Sequence, residues 1–537
     1  MAGAVTLEPG SGADTLHGRA WPQSTWTTTN VGEAIPGVQT PLGWSVWGDA
    51  GEEALRRSFQ MIGALDRSEI AVPQRAEDRL FSLFYGRIAV HLDLLCEWTD
   101  RVPGTDGEAM AKQLFTYVPP AYASHPQRRY YPRVVARAAI PWIQAPRLMR
   151  ASRRRVQDLW KRSVRAAPDL DAEDARQLLL RGAEEFRTVI YHHTLLTMGS
   201  VQPVYDLLER VTKGSEITAQ ELMGGHGGHE ETALLHDLWE CSRDRITLET
   251  FLGRQGFHGP REGDLSSVMW REDPTPLARV IEGWRQKPDD ADPLSLERAQ
   301  ITRRLELESR FLAGLPRPRR PLARLVLALG VRYIPLRGLG KVAYLQSIDI
   351  ARAGARRLGA IKASEGELAD PDDVFFLTVD ELTTGWPTAA AELAAERRAF
   401  YERYLSLDLP EVWQGEPEPV ATELDATGTR IEGIGASPGV VEGRAKVILD
   451  PADAEVEEGE ILIARNTDPA WASLMFLSAG LVSDIGGLMS HTAVVARELG
   501  IPCVVDTGAA TRALSTGDRI RLDGTAGTVE LVGQPTG

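Results

Sequence analysis

The stretch SDIGGLMSHTAVVARELGIP, residues 483–502, decides the fold of the C-terminal part of this chain. Glycines and a serine precede apolar residues at helical spacing, so the stretch predicts a turn and then a helix over Thr492–Leu499. Apolar runs on either side, Gly480–Ser483 and Pro502–Val505, predict short strands. A single histidine, His491, therefore lies where a glycine-containing turn becomes a helix.

This turn has the groups that a phosphoryl carrier needs. A helix N-terminus offers unpaired N–H groups and positive dipole character, and Gly486 and Gly487 let the backbone approach an anion closely. Ser490 and Thr492 add hydroxyl donors, and an imidazole with a pKa of about 6.5 is neutral enough to act as a nucleophile. We predict that His491 carries a phosphoryl group that these four residues bind. The alternative is that Ser490 is a helix cap with an incidental histidine beside it.

The residues around the turn predict a compact β/α domain of roughly 100 residues, over 431–537. The predicted strands and the second predicted helix have short apolar runs separated by turn residues; the strands are Val440–Leu449, Glu460–Ala464, Arg519–Leu522 and Thr528–Leu531, and the helix is Trp471–Ser478.

The rest of the chain is mostly helical by its pattern. Apolar residues recur at three- and four-residue spacing over Glu52–Leu65, Asp78–Glu97, Ala172–Met198, His229–Phe251 and Thr388–Leu405. Residues 1–25 predict a flexible N-terminal arm, and the acidic, proline-rich residues 405–430 predict a linker. The predicted fold is multidomain: a large mainly α-helical domain over 26–404, then the small β/α domain over 431–537.

Composition restricts the class of protein. The chain has 537 residues, a net charge of -15 and a pI near 5.3, which argues against a nucleic-acid or acidic-membrane binder. Cys96, Cys241 and Cys503 lie in no metal-ligand spacing and predict free thiols in a reducing compartment. No secretory signal or spanning segment is evident, so we expect a cytoplasmic protein.

The C-terminal residues resemble a known family. The matching strings are GASPGVVEGRA at 435–445, TDP at 467–469, GLMSHTAVVARELGIP at 487–502 and LDG at 522–524. They resemble, in order and spacing, the swivelling phosphohistidine domain of the phosphoenolpyruvate-utilising enzymes, among them phosphoenolpyruvate synthase, pyruvate phosphate dikinase and rifampin phosphotransferase. The resemblance implies that His491 is the phosphorylated histidine.

Residues 26–47, WTTTNVGEAIPGVQTPLGWSVW, mix a few polar side chains with apolar and aromatic ones. Such a mixture lines a pocket or attaches a long loop to helices. The string resembles the start of the acceptor-binding domain of the rifampin phosphotransferase type, as do GFHGPREGDLSS at 256–267, WREDP at 270–274 and PDDVFFL at 371–377. We predict that the acceptor is bound by Asn30, Glu33, Gln39 and Asp264.

Two further pairs carry predicted chemistry. Arg337 and Lys341 share one face if they lie in a helix, and by resemblance to the rifampin phosphotransferase type they form a phosphoryl clamp; the alternative is a solvated basic turn. His258 and Glu262 lie in a glycine- and proline-rich loop and predict acid/base partners for an acceptor hydroxyl. The alternative is a loop whose polar groups hold the backbone.

The segment GGHGGHE at 224–230 contains His226 and His229. Its glycines leave both unanchored, and the spacing fixes no third ligand. We predict no metal site here, and instead a mobile loop over a pocket.

Relatives of this type carry an ATP-grasp domain, whereas here the acceptor-like sequence begins by residue 26 and no phosphate-binding glycine loop is found. We therefore expect no cofactor bound directly by this chain, with ATP and Mg²⁺ bound by a separate ATP-grasp partner that phosphorylates His491. The chain would pass the phosphoryl group to a hydroxyl of a small, natural-product-like molecule. The alternative is a lyase, dehydratase or ligand-binding protein without phosphoryl transfer, with His491 as general acid/base.

Overall fold

A computed structural model of the chain describes residues 10, 14–29, 31, 35, 37–115, 117–226, 230–289, 292–407, 409–419, 430–449, 456–457, 459–467, 471–488 and 490–533. The α-helices are α1 (Pro41–Ile62), α2 (Leu92–Thr99), α3 (Gly107–Phe115), α4 (Tyr131–Arg137), α5 (Ala139–Ala166), α6 (Ala172–Leu196), α7 (Gln202–Thr212), α8 (Ala219–Met223), α9 (Glu230–Ser242), α10 (Leu248–Gln255), α11 (Thr275–Arg285), α12 (Pro293–Gly314), α13 (Arg320–Tyr333), α14 (Leu336–Ser364), α15 (Val379–Thr384), α16 (Ala390–Leu405), α17 (Ala472–Leu477), α18 (His491–Leu499) and α19 (Ala510–Ala513). The strands are β1 (Thr25–Thr27), β2 (Phe81–Phe84), β3 (Arg87–His91), β4 (Val412–Gln414), β5 (Arg430–Glu432), β6 (Ile434–Ser437), β7 (Val440–Ile448), β8 (Glu460–Ala464), β9 (Gly480–Ser483), β10 (Cys503–Val505), β11 (Arg519–Asp523) and β12 (Thr528–Gly533).

The described residues pack into two compact units. Unit 1 lies within 1–199, 263–266 and 340–422, and unit 2 lies within 200–262, 267–339 and 423–537. The segment 26–404, predicted as one helical domain, contributes to both units. The predicted fold class is confirmed, because helices dominate as far as Leu405 and a separate sheet-rich region follows.

Local signals explain where the long helices of unit 1 begin. Thr40 caps α1, where its hydroxyl accepts a hydrogen bond from the Gly43 amide at 3.3 Å, and a proline occupies the first helical position. Asp171 caps α6 in the same way through the Asp174 amide at 2.8 Å. Gly63 ends α1 with a φ of +96°, a backbone angle that favours glycine.

The predicted helix over Asp78–Glu97 is wrong. Strands β2 and β3 form a hairpin here, and only its last part, α2, is helical. The two loop residues, Tyr85 and Gly86, have φ values of +47° and +72°. Two positive φ angles in a two-residue loop match the twist of a β-hairpin. The turn residues therefore favour a hairpin here, although the apolar residues recur at helical spacing. The predicted helix over His229–Phe251 is likewise divided into α9 and α10, and Asp244 between them has a φ of +54°.

Unit 1 contains a four-stranded antiparallel sheet in the order β2-β3-β1-β4. Strand β4 lies inside the predicted linker and pairs with β1, with Trp413 opposite Trp26. Residues 14–25 of the predicted flexible arm are also packed, because Gly18 donates a backbone hydrogen bond to Leu83 at 2.6 Å and Leu16 is fully buried. Both segments were predicted as loose from their composition, and buried aromatic and leucine side chains hold them in place.

Unit 2 contains an eight-stranded sheet in the order β5-β12-β11-β7-β8-β9-β10-β6. Strands β7, β8, β9 and β10 are parallel neighbours, and the outer pairs are antiparallel. The end strands β5 and β6 are separated in the chain by Gly433 alone. A Cβ at this position would lie 2.6 Å from the Val505 carbonyl oxygen, so glycine permits the close approach. The strands predicted from the sequence are confirmed to within two residues at each end.

Two apolar clusters cover the sheet of unit 2. One includes Trp471 and Met475 of the α17 region with Val495 of α18. The other contains Ile461, Val504 and Leu522 from strands β8, β10 and β11, together with Ala510 and Leu514 at α19. The order β9–turn–α18–β10 therefore fixes the position of the His491 backbone against a well-packed sheet.

Candidate functional site

The turn before α18 is anchored to the end of strand β8. The Asp484 amide donates to the Ala464 carbonyl at 3.0 Å, and the Ile485 amide donates to the Arg465 carbonyl at 2.8 Å. Gly486 then has a φ of +149°, where a side chain would be strained. The turn therefore leaves the sheet in a defined direction, with glycine where the backbone requires it.

Asp484 orients this turn through its side chain. Its Oδ1 accepts a hydrogen bond from the Thr507 hydroxyl at 2.9 Å, and its carboxylate also accepts from the amide and the hydroxyl of Thr511. The residue is buried. A carboxylate satisfied by three donors near β10 and α19 can hold the turn in place.

Helix α18 begins at His491, and Ser490 is its N-cap. The Ser490 hydroxyl accepts from the Ala493 amide at 3.1 Å, and its carbonyl accepts from Val494 at 3.0 Å. By α-helix geometry, the amides of His491 and Thr492 have no carbonyl partner within the helix. Both the capping and the anion-binding interpretations of Ser490 are therefore compatible, since the capped helix still presents two donors and its positive end.

A second threonine supports the start of the helix. The hydroxyls of Thr467 and Thr492 lie 2.8 Å apart and both residues are buried. One hydroxyl proton lies between the two oxygens, so the other can be donated to a further acceptor. Thr467 belongs to the TDP string at 467–469 that carries part of the family resemblance, and the sequence alone does not predict its pairing with Thr492.

Arg497 is a buried arginine of α18 that sequence reasoning did not single out. Its guanidinium donates to the Leu488 carbonyl at 2.8 Å and to the Ala436 carbonyl at 3.0 Å. It therefore fixes the turn just before His491 to strand β6. Burial lowers the pKa of this guanidinium, and the positive charge of Arg337 acts in the same direction. In the sequence, the signal for such a role of Arg497 is a charged residue on the apolar face of a helix.

Arg337 and Lys341 both lie in the first turns of α14, four residues apart, as the spacing predicts. Arg337 belongs to unit 2, and its positive charge contributes to the lowered pKa of Arg497. Gly340, which precedes Lys341 in this helix, is needed for packing. A Cβ there would lie 2.0 Å from Nδ1 of His193.

His258 and Glu262 form a buried pair in unit 2. Nδ1 of His258 lies 2.7 Å from a carboxylate oxygen of Glu262, and each side chain is 5% exposed. Among the described residues, no hydrogen-bond partner is found for the buried Nε2 of His258. A carboxylate that accepts from Nδ1–H fixes the tautomer in which Nε2 is an acceptor. This geometry is that of a general base without a bound substrate.

The other predicted acceptor residues differ in position. Asn30 and Glu33 lie outside the described residues. Gln39 is fully buried just before α1 in unit 1. Asp264, also in unit 1, accepts hydrogen bonds from the amide and the hydroxyl of Ser266 at 2.9 and 2.8 Å. Gln39 and Asp264 therefore belong to unit 1, whereas the His258–Glu262 pair belongs to unit 2.

Unit 1 holds the segment around Asp264 through a buried polar network. Arg352 donates to the carbonyls of Asp264 and Leu265 at 2.8 and 3.1 Å and is paired with Asp349 at 2.7 Å. The Trp160 indole donates to the carboxylate of Asp349 at 2.7 Å. A fully satisfied buried network of this kind fixes a loop in one conformation.

No group of three or more potential metal ligands is found in the described part of the chain. The predicted loop at 224–230 is described only in part, because residues 227–229 lie outside it. The three cysteines are buried free thiols, and burial raises the pKa of Cys96 and of Cys503 to about 12. None of the described helices is long and apolar enough to cross a bilayer.

Comparison with known proteins identifies two segments of the chain. Residues 456–527 match the model of the PEP-utilising enzyme mobile domain, and residues 229–338 match that of the rifampicin phosphotransferase fourth domain. Both matches lie within unit 2, except that residues 263–266 of the second match belong to unit 1.

Several curated proteins are similar over about half of this chain. A rifampicin phosphotransferase of Streptomyces sviceus is 35% identical over 54% of this chain and 34% of its own length. An uncharacterized protein of Mycobacterium tuberculosis is 30% identical over 52% of this chain and 30% of its own length. A rifampicin phosphotransferase of Bacillus subtilis is 29% identical over 54% of this chain and 35% of its own length.

The chain thus spans about a third of the length of the curated relatives that it matches. The family models cover the His491 turn and the helical segment that includes His258, Glu262 and Arg337. Two segments of the chain are therefore similar to the mobile domain of the PEP-utilising enzymes and to the fourth domain of rifampicin phosphotransferase.

Proposed function

We propose that this chain is a phosphotransferase component that carries a phosphoryl group on His491 and delivers it to a hydroxyl of a small-molecule acceptor. An ATP-grasp protein that acts in trans loads the histidine and binds the ATP and Mg²⁺. The similarity to rifampicin phosphotransferases supports a natural-product-like acceptor. The observation that carries the proposal is the start of α18 at His491, behind a turn fixed by Asp484, Ser490 and Arg497.

In loading, a phosphoryl P–O bond of ATP breaks as a P–N bond forms to the neutral imidazole of His491. The negative charge of the phosphoryl group then lies at the positive end of α18, beside the unpaired amides of the first turn. The hydroxyl proton of the Thr467–Thr492 pair and the Ser490 hydroxyl are further donors. Preorganised donors of this kind stabilise charge without reorganisation during the reaction.

In delivery, the P–N bond breaks as a P–O bond forms to the acceptor hydroxyl, whose proton moves to Nε2 of His258. The Glu262 carboxylate stabilises the imidazolium that results, because it lies 2.7 Å from Nδ1. Arg337 and Lys341 provide positive charge for the phosphoryl group in transit. Each of these residues has a single task, so each step can be measured separately.

The first experiment measures loading by intact-mass spectrometry. The protein is incubated with ATP, Mg²⁺ and a candidate ATP-grasp protein, and one acid-labile phosphate is expected. The His491→Gln variant should gain none, whereas His236→Gln, a histidine that is 34% exposed, should be loaded like the wild type. Loading that persists in His491→Gln would overturn the assignment of the carrier.

The second experiment measures delivery with rifampicin as the first acceptor probe, because the relatives are named for it. Loaded protein is mixed with the probe or with related alcohols, and the phosphorylated product is quantified. Conversion of an acceptor without any phosphate source would favour the alternative function, a lyase or dehydratase. The His258–Glu262 pair is the observation that keeps this alternative open, since it is a complete acid/base pair that requires no phosphate.

A further inference from the structure

The mobile domain in unit 2 has one face covered by the helical segment 200–339. The ring of Trp284, in α11, stacks on Phe476, in α17, with centroids 4.3 Å apart and planes inclined by 19°. Phe476 and Leu499 both pack against the apolar cluster of α9–α11, which also contains Leu234. At the edge of this face, Gln220 donates to the Gly435 carbonyl at 2.9 Å. We call the mobile-domain side of this contact, Phe476 and Leu499, the covered face.

The covered face belongs to the same helix as the carrier histidine. Leu499 ends α18 and His491 begins it, so the two lie eight residues apart along the helix. At 1.5 Å per residue, that separation is about 12 Å. A stable protein interface buries about 800 Å² on each partner, equivalent to a disc with a radius of about 16 Å. A protein that docks around the start of α18 therefore reaches the covered face.

Resting on the proposed function, we propose that the covered face is a shared docking surface. Trp284 occupies it when the mobile domain is docked on the helical segment, and the ATP-grasp partner occupies it through an apolar surface of its own during loading. The two docked states exclude each other. When the Trp284 ring leaves Phe476, the side chains of Phe476 and Leu499 become exposed to water, which is unfavourable in free energy. An apolar protein surface that covers both side chains removes this exposure, so we expect the occupant to be apolar.

Substitutions of Phe476 and of Trp284, the two rings of this contact, should therefore have different effects on loading. Removal of Phe476 weakens docking in both states, whereas removal of Trp284 weakens only the state seen here. Phe476→Ala should therefore slow loading by the ATP-grasp protein about fivefold to tenfold, as expected for a lost aromatic contact of about 1 kcal/mol. Trp284→Ala should load as fast as the wild type or faster, and should slow delivery to the acceptor.

The experiment compares two phosphoryl donors. Loading of His491 is followed by intact-mass spectrometry with ATP, Mg²⁺ and the ATP-grasp protein, and separately with phosphoramidate, a small donor that needs no docking surface. Phosphoramidate should load wild type and Phe476→Ala equally, which also shows that the turn is intact in the variant. Val440→Ala, on an exposed position of the mobile domain, is the control. Phe476→Leu keeps apolar volume and should recover part of the loading rate.

Equal loading of Phe476→Ala and wild type by the ATP-grasp protein would overturn the shared surface, as would an equal loss in Trp284→Ala. These outcomes differ from failure of the proposed function. In that case the ATP-grasp protein would not load even the wild type, or the phosphate from either donor would be found on a residue other than His491.

Discussion

The His491 turn and the predicted acceptor residues differ in how the chain builds them. The turn comes from one continuous stretch, and its supports are close to it: Thr467 follows β8, Thr507 follows β10 and Thr511 lies in α19. The acceptor residues come from two distant stretches of the chain, and of these Gln39 and Asp264 both lie in unit 1. A continuous motif carries its own geometry, whereas a dispersed set depends on packing that no single stretch encodes.

The largest effect that would sharpen this comparison is expected at His258. His258→Asn removes Nε2 as a proton acceptor and should slow delivery about 10²–10⁴-fold, the usual contribution of general base catalysis. Loading of His491 should be unchanged, because the pair belongs to the helical segment and not to the turn. Single-turnover transfer from loaded protein to rifampicin measures the first effect, and intact mass measures the second. His236→Asn is the control, and a His258→Asn variant that transfers normally would assign the loop a structural role.

A smaller effect is expected at Lys341. Lys341→Ala should slow delivery about 100-fold if its charge stabilises the phosphoryl group in transit, and should leave loading intact. Lys362→Ala is a matched control on the same helix, α14, since Lys362 pairs with Glu365 and Glu367. Equal delivery by the two variants would assign Lys341 to structure.

The sequence predicted most of the mobile domain, and the reason is physical. Its strands and its helix α18 are short, regular and bounded by glycine, proline or a capping serine, so local signals and final structure agree. The sequence failed at β2 and β3, where a helical apolar spacing concealed a hairpin turn at Tyr85–Gly86. It failed again at β4, because an acidic, proline-rich composition does not reveal that Trp413 is buried beside Trp26.

The same distinction applies to the candidate site. The sequence identified His491, its glycines and its hydroxyl residues, which follow one another along the chain. It did not identify Arg497, whose bonds to Leu488 and Ala436 depend on how α18 packs on the sheet. His258 and Glu262 were predicted as acid/base partners because they lie in one glycine- and proline-rich loop, and in the structure their side chains are 2.7 Å apart.

Ser490 allows the two interpretations of the turn to be separated. Ser490→Ala removes the cap of α18 and should lower the free energy of unfolding by about 1 kcal/mol. Ser490→Asp keeps a capping oxygen and should retain that stability, but its charge should repel the phosphoryl group and slow loading. Thermal unfolding and the loading assay measure the two effects. If both variants load at the wild-type rate, Ser490 is a helix cap only.

The smallest effect is expected for Asp264→Asn, at a position to which the sequence and the structure give different roles. The sequence predicts an acceptor ligand, whereas the structure shows a side chain whose Oδ1 binds the amide and hydroxyl of Ser266. Asp264→Asn keeps a carbonyl oxygen for both bonds, so unfolding free energy should change by less than about 0.5 kcal/mol. Asp264→Ala loses both bonds and should cost about 1–3 kcal/mol, since buried donors are left unpaired. Chemical denaturation measures these values, and the KM for rifampicin measures binding. A KM that rises tenfold in Asp264→Asn at unchanged stability would show that the negative charge itself contacts the acceptor, and would mean that a dispersed residue had been identified from its local sequence after all.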